Sequence, residues 1–62
     1  MSDDDLLTIE DVARRLQVHE ETVRRYIKRK QLIAIRLSNN NMRIRKSELD
    51  RFLRERETDK DN

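Results

Sequence analysis

Thr8-Ile9-Glu10-Asp11-Val12-Ala13-Arg14-Arg15-Leu16-Gln17-Val18-His19-Glu20-Glu21-Thr22-Val23-Arg24-Arg25-Tyr26-Ile27-Lys28-Arg29 is the run that decides the fold. Thr8 can cap the amides of the turn that follows it, and Asp11 stands three residues on, at capping-box spacing. Leu7 and Val12 bracket that cap as a hydrophobic staple. Ile9, Val12, Ala13 and Leu16 fall at i, i+3, i+4 and i+7, one apolar stripe on a helix of about two turns. Gln17 and Val18 break the stripe. A second helix is expected from about Glu20 to Arg29, with Glu20 and Glu21 at its positive end and Lys28, Arg29 and Lys30 at its negative end. Val23, Tyr26 and Ile27 form its inner face, and Val18 can staple to Val23 across His19 as the cap. Two short helices joined by a turn of about three residues make a helix-turn-helix unit.

Rotation at 100° per residue from Val23 places Glu21, Arg25 and Lys28 on the outward side of the second helix, with Thr22, Arg24 and Arg29 on its flanks. The wider charge pattern sharpens this. From Thr22 to Ser47 the chain has no acidic residue, yet that stretch holds Arg24, Arg25, Lys28, Arg29, Lys30, Arg36, Arg43, Arg45 and Lys46. Ordinary surfaces intersperse both signs. Taken one at a time these side chains read equally well as a solvated face; as a set they form a polycation that suits phosphate.

Beyond Leu32 the apolar period changes to two. Ile33, Ile35 and Leu37 alternate with Ala34 and Arg36, then Met42 and Ile44 alternate with Arg43 and Arg45, which reads as a hairpin. Its tip, Ser38 to Asn41, has asparagines at Asn39, Asn40 and Asn41, where a positive φ would favour glycine. Met42 is expected as a core filler under the hairpin. Ser47 with Asp50 is expected to cap a last helix with Leu49, Phe52 and Leu53 as its stripe. The fold class is therefore mainly α with a small β-hairpin, in the order helix, turn, helix, hairpin, helix: a winged helix-turn-helix. The domain is expected over residues 6–56, with residues 1–5 and 57–62 as frayed, acidic tails.

Composition narrows the function classes. A chain of 62 residues is one domain at most, and 34% hydrophobic against 45% charged leaves periodicity to supply the case for folding. There is no cysteine and only one histidine, His19, so neither a thiolate metal site nor a nucleophilic triad can be assembled. No cofactor and no enzymatic activity are expected. The longest apolar stretch, Leu32 to Ile35, is far short of a membrane span, and Asp3, Asp4 and Asp5 have the wrong sign for a signal peptide. A cytoplasmic protein without a membrane partner is expected. The two aromatics, Tyr26 and Phe52, occupy inner helix positions, so they read as packing residues and leave no stacking platform for single strands.

The run from Leu7 to Ala13, then Leu16-Gln17-Val18, Thr22-Val23, Tyr26-Ile27, Leu32, Ala34-Ile35-Arg36, Arg43-Ile44 and Ser47-Glu48-Leu49, resembles the excisionase-like and MerR-like winged helix-turn-helix DNA-binding domains. The resemblance spans about residues 6–54 and implies a recognition helix and a wing as contact elements. These map onto Thr22, Arg24, Arg25 and Lys28, and onto the loop from Ser38 to Arg43. Family members usually carry glycine where this chain has Gln17, Lys30 and the wing asparagines, and a Ser-type cap where it has His19. Local backbone geometry at those positions is where the chain departs from the pattern.

The expected function is sequence-preferring binding of double-stranded DNA, the second helix in the major groove and the basic hairpin along the backbone or minor groove. Glu21, Thr22, Arg24, Arg25, Lys28, Arg29, Arg36, Asn39, Asn40, Asn41 and Arg43 are the candidate contacts. Arg25 and Lys28 have the reach to touch base edges. Glu21 either complements the helix dipole or accepts from cytosine N4. Arg36, Arg43 and Arg45 also suit the protection of an edge strand. So small a domain is expected to bind tightly only as a dimer, as adjacent copies or with a partner such as a recombinase, and no small-molecule effector is expected. The alternative is a protein-interaction module whose basic face binds an acidic partner, a recombinase or a regulatory subunit.

Overall fold

The computed structural model describes residues 5–57. Strand β1 (Leu6–Leu7) leads into α1 (Ile9–Leu16) and α2 (Glu20–Lys28); β2 (Ile35–Arg36) and β3 (Met42–Arg45) form the hairpin, and α3 (Lys46–Arg56) follows β3 without a loop. The three strands make one antiparallel sheet in the order β1-β3-β2. Leu7, Val12, Ala13, Val23, Leu32, Ile44, Leu49 and Phe52 form the buried core. Every helix, two of the strands and the α2–β2 linker each contribute to it, so no element buries its apolar face alone.

Local signals account for the helix-turn-helix half. Thr8 Oγ1 accepts from the Asp11 N–H at 2.9 Å while the Asp11 carboxylate accepts from the Thr8 N–H at 3.2 Å, a complete capping box. That bonding holds the Asp11 carboxyl below the usual carboxylate range, the Thr8 backbone bond being the main cause and the Thr8 hydroxyl the next. The turn is Gln17 to His19. Gln17 adopts φ 60°, ψ 46°. Its N–H reaches the Arg14 carbonyl at 3.2 Å and the Val18 N–H reaches Ala13 at 3.0 Å, the paired bonds of a Schellman motif. The motif recurs after α2, where Lys30 has φ 64° and bonds Ile27 at 3.0 Å while Gln31 bonds Tyr26 at 2.9 Å. Helix α2 thus ends at Lys28, with Arg29 as its cap. Both left-handed positions are the ones where glycine is usual, here occupied by residues with a β-carbon.

Several expectations need correction. His19 holds the N-cap position of α2, yet its side chain makes no cap hydrogen bond. Helix α3 starts one residue before Ser47, with Arg45 at the N-cap and no side-chain cap bond. The cap is tertiary instead: the Lys46 N–H donates to the Asp5 carbonyl at 2.8 Å, so the strand beside β3 satisfies one orphan donor of the first turn. Asp50 pairs with Lys46 Nζ at 3.3 Å. Asp5, expected in a frayed tail, is therefore tied to the sheet; residues 1–4 and 58–62 lie outside the described residues. No wing asparagine has a positive φ. The tip closes by ordinary bonds, Leu37 N–H to the Asn41 carbonyl at 2.7 Å and Asn41 N–H to the Ser38 carbonyl at 3.3 Å.

The alternation of β3 holds, with Ile44 buried and Arg43 on the opposite face, but the apolar set around β2 faces the other way. Ile35 pairs with Arg43, and Arg36 with Met42. Cross-strand partners share a face, so Ile35 lies on the face opposite Ile44, the residue that enters the core. Ile33 and Leu37 are accordingly 63% and 55% exposed, and the buried residue of this segment is Leu32. Met42 is half-buried. Leu53, expected in the α3 stripe, is 41% exposed, because Leu49 and Phe52 alone meet the core.

Candidate nucleic-acid interface

Burial of Val23 turns the opposite side of α2 to solvent. Glu21, Arg24, Arg25, Lys28 and Arg29 line one shallow cleft of 380 Å³ along that side, and all five are exposed. Four cations and one carboxylate thus stand together on an accessible helix face. Arg24, placed on the flank by helical rotation, pairs with Glu20 at 3.6 Å. Thr22, also expected on a flank, is half-buried. Glu20 and Glu21 both stand in the first turn, where a carboxylate complements the helix dipole.

The wing residues are divided by the sheet. Since Arg36 shares a face with Met42 and Arg43 shares one with Ile35, the two arginines leave opposite faces of the hairpin. Arg36 is exposed and its guanidinium donates to the Asn39 carbonyl at 3.2 Å, lying back over the tip. Arg43 is half-buried and donates to the Met42 carbonyl at 2.9 Å. Asn39, Asn40 and Asn41 are exposed at the tip, and Asn41 Nδ2 donates to Ser38 Oγ at 2.8 Å. The structure therefore gathers five of the six α2 candidates along one cleft, leaves Thr22 half-buried outside it, and sets the wing arginines on two faces.

Neither aromatic ring offers a stacking surface. Phe52 is buried and Tyr26 half-buried, with ring centroids 5.1 Å apart. Arg56 covers both rings, its guanidinium carbon 4.6 Å from the Phe52 centroid and 4.9 Å from that of Tyr26.

A second polar group, not legible in the sequence, ties the linker between α2 and β2 to α3. The Glu48 carboxylate accepts from the Ile33 N–H at 3.0 Å and from Arg51 Nε at 3.0 Å. Arg51 also pairs with Glu55 at 2.7 Å and donates to the Gln31 carbonyl at 3.5 Å. Arg56 donates to Gln31 Oε1 at 3.2 Å. The Arg51 guanidinium holds the Glu48 carboxyl below the usual carboxylate range, the Ile33 N–H adding to the effect against the opposing effect of burial. The Ile33–Glu48 bond spans fifteen residues, which no local pattern announces.

A helix-turn-helix pair, a third helix and a small antiparallel sheet supplying the wing define the class as a winged helix-turn-helix domain. The chain belongs to the helix-turn-helix domain family, a family of excisionase-like small DNA-binding domains, which it matches over residues 6–57. DNA is accordingly its partner. No curated protein and no solved structure matches it. No helix among the described residues is long and apolar enough to cross a membrane.

Proposed function

We propose that this chain binds double-stranded DNA with sequence preference, α2 lying in the major groove and the β2–β3 wing along the backbone or the adjacent minor groove. The observation that carries the reading is the cleft along α2 lined by Glu21, Arg24, Arg25, Lys28 and Arg29. Arg25 and Lys28 are assigned to base edges, since an arginine can meet guanine O6 and N7 bidentately. Thr22, Arg24 and Arg29 are assigned to phosphates, which fix register without reading sequence. Arg36 and Arg43, on opposite faces of the wing, suit a hairpin that presents a cation to each wall of a groove, with Asn39, Asn40 and Asn41 at its tip. The role is that of an excisionase-like architectural factor or a compact, MerR-like transcription regulator, acting in the cytoplasm through a dimer or adjacent copies, without catalysis.

The test is retention of a randomised duplex library at two salt concentrations, followed by sequencing. A short enriched motif is expected, with five to seven phosphate contacts giving a log K against log salt slope of roughly −4.5 to −6. Retention without a motif would refute sequence preference. A flat salt response, or no retention, would refute the groove-binding model and favour an acidic protein partner for the same face. Where a site is found, a large bend over several adjacent copies identifies the architectural role, and one palindromic site without a bend identifies the regulator.

A further inference from the structure

We infer that Glu48 and Arg51, on the helix not assigned to DNA, are positioning residues that set the angle between α2 and the wing. The inference rests on the reading of α2 and the wing as the two DNA-contacting elements. Helix α2 packs mainly on α1, while the sheet packs on α1 and α3, so the two contact elements are related chiefly through the core and the linker from Arg29 to Ala34. The first half of that linker belongs to α2: Lys30, Gln31 and Leu32 donate their N–H groups back to Ile27 and Tyr26. Leu32 then plugs the core. From there only Ile33 and Ala34 lead to β2, with Ala34 packed on the core and β2 paired to β3.

Helix α3 adds a polar restraint on this exit. Glu48 takes the Ile33 N–H, the first amide after the plug, while Arg51 braces the same carboxylate and reaches the Gln31 carbonyl before the plug. Arg56 holds the Gln31 side chain and lies over Tyr26 of α2. One face of α3 thus grips the chain on both sides of Leu32. The first carboxylate after the acid-free stretch from Thr22 to Ser47 is spent on a backbone amide, where an ionised acceptor makes a stronger bond than a neutral one. A two-element binder gains from such bracing, because a wing held in the docked direction loses less conformational freedom on binding.

The test has two arms. In the first, residual dipolar couplings of the free chain report the orientation of α2 relative to β2–β3. The wild type is expected to fit one alignment tensor and Glu48→Ala to need two; Glu48→Gln, which keeps the shape but loses the charge, serves as the second variant should the alanine chain fail to fold. In the second arm, Arg36→Ala and Arg25→Ala are each combined with Glu48→Gln and binding to a duplex is measured. The penalty of Arg36→Ala is expected to shrink by roughly two- to thirtyfold in the Glu48→Gln background, whereas that of Arg25→Ala is unchanged. An unaltered inter-element orientation in a folded variant overturns the inference, and so does an Arg36→Ala penalty equal in both backgrounds. If the chain fails to bind duplex at all, the DNA reading falls, while the dipolar couplings still decide whether Glu48 sets the angle.

Discussion

Gln17→Gly is expected to stabilise this protein, although it deletes a whole side chain. Gln17 sits at φ 60°, ψ 46°, where its β-carbon crowds the following carbonyl at a cost of about 1–2 kcal/mol that glycine does not incur. Against this, glycine loses more conformational freedom on folding, by about 0.4–1 kcal/mol. The Schellman bonds to Ala13 and Arg14 are made by backbone and survive the change. Nor does the core lose packing, since the Gln17 side chain is exposed. The net gain is about 0.5–1 kcal/mol, which for a domain near this size is a rise in Tm of roughly 2–8 °C. Thermal and urea unfolding followed by circular dichroism measure it. Gln17→Ala is the control, because alanine keeps the β-carbon and so gains nothing from relief of crowding. A Gln17→Gly chain no more stable than wild type, or a Gln17→Ala chain stabilised as much, would refute the reasoning.

Arg25→Ala is expected to relax base preference at a cost of roughly 1–3 kcal/mol, read from binding to a panel of single-base site variants, while Arg43→Ala weakens binding to every sequence alike. Equal, sequence-independent losses from both would remove that division of roles. Leu32→Ala empties the linker position that is fully buried and should cost about 2–5 kcal/mol. Set against a total of about 3–9 kcal/mol for a chain this long, that removes roughly half of the stability and lowers the midpoint of a urea titration accordingly. Asp11 and Glu48 both have folded pKa values below the unfolded ones, so their contributions are complete above the ordinary carboxylate range and are lost as pH falls through the lowered values. Stability should be level from neutral pH down to about 5 and fall below it. Asp11→Asn and Glu48→Gln should each flatten that acid limb; an unchanged limb would show that these bonds do not matter in solution.

The helix-turn-helix half was legible because its signals are local. A capping box, a staple and a 3.6-residue stripe each act within one or two turns, so Thr8, Asp11, Val12, Ala13 and Val23 have the same meaning in the sequence as in the fold. The outward face of α2 followed from the same geometry: once Val23 is inside, Arg25 and Lys28 must be outside.

Strand β1 was not legible, since two residues have no period and Leu6–Leu7 becomes a strand only because β3 presents an edge to it. The same pairing decided how α3 begins. Ser47 and Asp50 stand at cap spacing, but the helix begins at Lys46, whose N–H donates to the Asp5 carbonyl just before the neighbouring strand β1.

By itself, then, the sequence determined the succession of the three helices and the hairpin, the helix-turn-helix pair and the basic outward face of its second helix, because helix period, caps and charge act over a few residues. Only the tertiary structure decided which side of the hairpin is inside. Alternation marks Ile33, Ile35 and Leu37 as one face but carries no sign, and pairing Ile35 with Arg43 turned that face outward and left Leu32 as the residue that enters the core. Tertiary structure alone also joined Glu48 to Ile33, across fifteen residues that only a folded chain brings within hydrogen-bonding distance.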